Sequence, residues 1–106
     1  LSEELLVREA RRRAGIFGNL PRLLRELAAA VREIDPRAEA YLFGSVAEGK
    51  HLLSSDIDIL VVSDKDPALI LAELWRHGFK DPFEIHVVTR SMLEAYRRRA
   101  RLIRIG

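Results

Sequence analysis

The chain has 106 residues, 48% of them hydrophobic and 32% charged. That composition suits one small globular domain and excludes a disordered chain. The formal net charge is only +2, too weak a field to point to nucleic acid. There is no cysteine, which rules out disulfides, thiolate nucleophiles and Cys-based zinc sites.

No apolar run approaches the ~18 residues a membrane-spanning helix needs, and the charged N-terminal stretch lacks the pattern of a signal peptide. A cytoplasmic location is the expectation. Gln is absent, Asn and Met occur once each, and Arg far outnumbers Lys. Few thermolabile side chains beside many charges lean towards a thermophile, although GC-rich coding gives the same Arg bias.

Residues 2–14 (SEELLVREARRRA) predict a helix capped by Ser2, with acids ahead of the Arg run as the helix dipole favours. Gly15 and Gly18 are expected to break it. Residues 20–34 predict a second helix, with Pro21 in its first turn and Leu20, Leu23, Leu24, Leu27, Ala28, Val31 and Ile34 at helical spacing. Asp35-Pro36 ends it. Residues 38–43 and 56–62 read as strands joined by a polar loop. Residues 67–77 predict a helix opened by Asp66-Pro67, residues 83–88 a third strand, and residues 90–101 a last helix.

The order ααβ-βαβα makes this an α/β (α+β) protein: a small mixed sheet of three to four strands with helices packed on it. One domain covers residues 1–106, with the N-terminal helices in 1–34 and the remaining core in 38–106. Trp75 and Phe79 are expected in the core or at a helix end. Ala95, Tyr96, Leu102, Ile103 and Ile105 suggest that the tail packs on something, such as a second subunit in a homo-oligomer. The Arg clusters at 11–13 and 97–99 read as solvated faces or partner contacts rather than a nucleic-acid surface.

Gly44-Ser45-Val46-Ala47-Glu48-Gly49-Lys50 resembles a P-loop one residue short. A P-loop needs Ser or Thr after the Lys and a long helix directly following. His51 stands where the hydroxyl belongs, and only Leu52 to Ser55 separate Lys50 from the next strand. The carboxylates give a better reading. Asp56 and Asp58 open a strand at i and i+2, so both point to one face. Two acids side by side repel unless they grip a divalent cation, and hard oxygen ligands suit Mg²⁺ or Mn²⁺. Gly44-Ser45, just after a strand, offers N–H groups and a hydroxyl to an anion.

Gly44-Ser45 after a strand, Gly49 several residues on, and then Ser55-Asp56-Ile57-Asp58 opening the next strand resemble the signature of the DNA polymerase β-type nucleotidyltransferases. The size resembles that family's minimal members. The family pattern adds a third carboxylate on a later strand, and Glu84 is the candidate. The resemblance implies that Asp56, Asp58 and Glu84 are catalytic and hold up to two Mg²⁺ (or Mn²⁺) ions. It implies that Gly44, Ser45, Gly49 and Lys50 bind the nucleoside triphosphate, with ATP the first choice. The reaction implied moves a nucleoside monophosphate onto a hydroxyl of a protein or small molecule and releases pyrophosphate. Minimal members often pair with a helical HEPN-type protein as antitoxins, so a non-catalytic module that masks such a partner is the alternative. His86 lies two residues beyond Glu84 and so faces the same side; it reads equally as a packed core residue or a site residue.

Overall fold

A computed structural model describes residues 2–106. Its elements are α1 (Glu3–Gly18), α2 (Leu20–Ile34), β1 (Glu39–Phe43), α3 (Gly44–Ala47), β2 (Ile57–Val62), α4 (Pro67–Arg76), β3 (Phe83–Val88), a 3-10 turn (Arg90–Met92), α5 (Leu93–Arg99) and β4 (Ile103–Ile105). The four strands form one mixed sheet in the order β3-β2-β1-β4. β2 and β3 run parallel, joined by the α4 crossover, while β1 is antiparallel to both β2 and β4.

Alternation along the strands gives the sheet two unlike faces. Ala40, Leu42, Ile57, Ile59 and Val61 face one side and pack with Leu27, Ala28 and Val31 of α2 and with Ile70 and Leu74 of α4. Tyr41, Leu60, Val62 and Val88 face the other, where Leu93 of α5 and the half-buried Phe43, Tyr96 and Leu102 cover them. The second layer is thinner and leaves the start of β2 and β3 open on that side. Among the described residues, no helix is long and apolar enough to cross a membrane.

Several sequence expectations are corrected. Gly15 does not break the first helix, which runs on to end at Gly18. A glycine inside a helix costs about 1 kcal/mol but does not forbid it. Here Ile16 and Phe17 pack on the core, and the Asn19 side-chain amide donates to the Gly15 carbonyl at 2.9 Å. The loop after β1 contains one helical turn, α3, that residue patterning does not reveal. The tail packs on its own chain: β4 pairs with β1, and Ile105 is buried beneath α2. Of the two places expected for Trp75 it takes the helix end, in the last turn of α4, and is 58% exposed. Phe79 is buried as expected. The last helix starts later than 90–101 implies, because Arg90–Met92 form a 3-10 turn.

Candidate functional site

β2 lies between β3 and β1 in the sheet, and five of its six residues are buried. The exception is Asp58. In register, Asp58 lies opposite Phe43 of β1 on one side and Glu84 of β3 on the other. Cross-strand neighbours project to the same face, so the sheet itself aims the Asp58 and Glu84 carboxyls together at the open end of the thinner layer. His86, two residues on, shares that face. Its Nε2 lies 3.7 Å from Asp58 Oδ1 and 3.7 Å from Glu84 Oε1. The three side chains can each offer one ligand atom, all within 4.8 Å of one another.

Asp56 precedes β2, is exposed and is not a member of that trio. It stands beside Glu84, and this contact is the main cause that holds the Glu84 carboxyl above the usual carboxylate range, helped by partial desolvation and by Asp58. Burial is the main cause that raises the Asp58 carboxyl. The His86 ring opposes the rise and Asp56 adds to it. These are carboxylates crowded together without enough positive charge, the electrostatic condition that a bound divalent cation relieves. The donor set therefore fits such an ion.

Gly44 is what lets the site form. Its φ is +76°, a region L side chains avoid. A Cβ there would also collide with the Asp58 carboxylate, reaching 3.1 Å from its Cγ. Ser45, half-buried, follows in the single turn of α3, whose first N–H groups have no acceptor within so short a helix. Gly49 ends that turn with φ +70°, and the space around its missing Cβ is open. Its conformation, not crowding, calls for glycine. Lys50 is exposed, and its N–H donates to the Ser45 carbonyl at 2.9 Å. No helix lies between Lys50 and β2, so the P-loop geometry is absent.

Phe43 forms an apolar wall beside the carboxylates. Its ring meets His86 edge-on at 5.4 Å and Tyr96 of α5 at 6.2 Å. His51 is exposed and stacks on Phe17 at 5.0 Å.

Residues of α1 join in from outside the sheet. Arg13 donates to the Ser55 carbonyl at 3.1 Å and the Leu53 carbonyl at 3.4 Å. Arg12 donates to the Asp81 carbonyl at 2.9 Å and pairs with the Asp81 carboxylate at 2.8 Å. Glu9 pairs with both arginines. The two loops held this way lead directly into Asp56 and into Glu84. The arginines at 12 and 13 thus do more than line a solvated face: both hold loops of their own chain, with Arg12 still 41% exposed. No local pattern could reveal this, because their partners lie 42 and 69 residues away.

A model of the nucleotidyltransferase domain matches residues 24–105, which takes in every strand and leaves α1 outside. Two solved structures are similar. One is the crystal structure of a candidate nucleotidyltransferase, 30% identical, covering 76% of this chain and 95% of that one at a TM-score of 0.63. The other is a candidate nucleotidyltransferase from Sulfolobus solfataricus, solved at 1.40 Å. It is 22% identical, covers 89% of this chain and 85% of that one at a TM-score of 0.60, and bears on the fold alone. No curated protein matches the chain.

Proposed function

The chain belongs to the nucleotidyltransferase domain family, and we propose that it transfers a nucleoside monophosphate from a nucleoside triphosphate to a hydroxyl acceptor. The observation that carries this reading is the register of Asp58 with Glu84, with Gly44 pressed against Asp58.

In this reading Asp58 and Glu84, with Asp56 at the margin, hold Mg²⁺ or Mn²⁺. When bound, the ion neutralises triphosphate charge and acidifies the acceptor hydroxyl. The first N–H groups of the α3 turn and the Ser45 hydroxyl would donate hydrogen bonds to a phosphate group of the triphosphate. The positive φ of Gly44 and Gly49 bends the chain around that group without a side chain in the way. Lys50 adds a charge at the rim. The acceptor oxygen bonds to the α-phosphorus as its proton passes to solvent, the bond from the α-phosphorus to the bridging oxygen breaks, and pyrophosphate leaves. Phe43 and Tyr96 supply an apolar flank that limits water on one side.

The test is incubation with labelled ATP, CTP, GTP or UTP, a divalent ion and cell extract. Label should pass to a macromolecule or small molecule with wild type and not with Asp58→Asn/Glu84→Gln. Triphosphate binding without transfer for every nucleotide would sink the catalytic reading.

One observation favours a second reading, in which the domain masks a HEPN-type helical partner without catalysis. Helix α1 fully buries none of its residues and leaves Leu5, Leu6 and Val7 about half exposed. Masking by contact would survive Asp56→Ala/Asp58→Ala, whereas function through transfer would not.

A further inference from the structure

We propose that His86 is a direct nitrogen ligand of the divalent ion at this site. On this proposal it biases the site towards first-row transition ions, from Mn²⁺ to Co²⁺, over Mg²⁺. The inference rests on the reading that Asp58 and Glu84 hold a cation, and it changes what that cation is.

The spacing is the first argument. His86 Nε2 stands 3.7 Å from one oxygen of Asp58 and 3.7 Å from one of Glu84. Hydrogen bonds of this kind run about 2.7–3.2 Å, so the ring is bonded to neither. Donor atoms at about 2.1 Å from one ion stand about 3.0–4.2 Å apart, from neighbouring to opposite positions. Both His86 distances fall inside that interval, and the three donor atoms together lie within 4.8 Å of one another.

Placement is the second. His86 and Glu84 occupy alternate positions of the same strand, and the Phe43 ring edge bounds the imidazole from β1. The nitrogen reaches the gap between the two carboxylates because backbone register puts it there, not because a flexible side chain has wandered in.

The composition of the trio is the third. Asp56 touches Glu84 but is not among the three residues whose ligand atoms lie within 4.8 Å of one another. What converges is two oxygens and one nitrogen. Mg²⁺ prefers oxygen ligands and water. Imidazole suits transition ions, whose affinity for such a site climbs from Mn²⁺ through Co²⁺.

The experiment is calorimetric titration of the intact protein with MgCl₂, MnCl₂ and CoCl₂ for wild type, His86→Ala and His86→Gln. Electron spin-echo spectra of the Mn²⁺ forms accompany it. Wild type should bind Co²⁺ more tightly than Mg²⁺ and show nitrogen modulation from a coordinated imidazole. Both variants should lose that modulation and about tenfold or more in Co²⁺ affinity, with Mg²⁺ affinity changed by less than about threefold. The Co²⁺-to-Mg²⁺ ratio is insensitive to partial unfolding of a variant, since both ions see the same folded fraction. An unchanged ratio, or bound Mn²⁺ without nitrogen modulation, overturns the role of His86 and leaves the carboxylate reading standing. If wild type binds none of the three ions, both readings fall together.

Discussion

Gly44 and Asp58 approach so closely that no side chain fits at position 44: a Cβ there would overlap the Asp58 carboxylate and come within 3.1 Å of its Cγ. Gly49, five residues on, shares the positive φ but faces open space. The two glycines thus separate backbone strain from steric blockade. Gly49→Ala should cost about 1 kcal/mol of stability and leave divalent-ion affinity within about twofold. Gly44→Ala should cost about 1–3 kcal/mol and weaken ion binding at least tenfold, because Asp58 must move away. Thermal melts and calorimetric titration of the two variants check this, and equal ion affinity in both would refute it.

Crowding of the carboxyls gives a signed pH prediction. The Asp58 and Glu84 carboxyls are both raised above their ordinary values, Asp58 mainly by burial and Glu84 mainly by Asp56. A raised folded-state pKa contributes stability that is complete below the unfolded value and is lost as pH rises through the folded one. At pH 7 the ion-free protein therefore carries a penalty there. Asp58→Asn should raise its melting temperature by about 2–4 °C at pH 7 and by nothing near pH 3. Added MnCl₂ should stabilise wild type at pH 7 and not the variant. A melting temperature lowered by Asp58→Asn at pH 7 would contradict the assignment.

At the opposite end of β1 the sign reverses. Glu39 accepts a hydrogen bond from the Tyr41 phenol at 2.6 Å and pairs with Arg90 at 3.0 Å. The phenol first, and then the guanidinium, hold its carboxyl below the usual range. Stability from a lowered pKa is present above the unfolded value and disappears as pH falls through the folded one. Glu39→Gln should cost about 1 kcal/mol at pH 7 and almost nothing near pH 3, with ion binding untouched. Denaturant melts at the two pH values read the difference.

The hold of α1 on the site loops predicts action at a distance. Arg13→Ala removes the donors to the Ser55 and Leu53 carbonyls, and Arg12→Ala frees the loop at Asp81. Each should cost about 1–2 kcal/mol, weaken ion binding several-fold, and speed hydrogen exchange in residues 53–57 or 80–84 respectively. Arg11→Ala, on the exposed side of the same helix, is the control. If Arg13→Ala leaves exchange in 53–57 unchanged, these contacts do not position Asp56.

Much of this protein is local and therefore legible in its residues. β-branched runs mark the strands, and the apolar spacing of Leu20 to Ile34 marks α2. An acidic residue in a strand as apolar as Ile57–Val62 marks chemistry, because an unpaired carboxylate there is otherwise a cost. The same two-residue period places Glu84 and His86 on one face. These features depend on neighbours a few residues apart, which backbone periodicity relates directly.

Tertiary structure alone decided the rest. Only the parallel register sets Asp58 opposite Glu84 and brings the His86 nitrogen between them, with Asp56 to the side. Only chain closure turns Ile103–Ile105 into an edge strand on β1, and only the docking of α1 brings Arg12 and Arg13 to loops far along the chain. Pairing of distant segments is chosen by packing and hydrogen bonding summed over the whole fold, and no local period encodes which strand lies beside which.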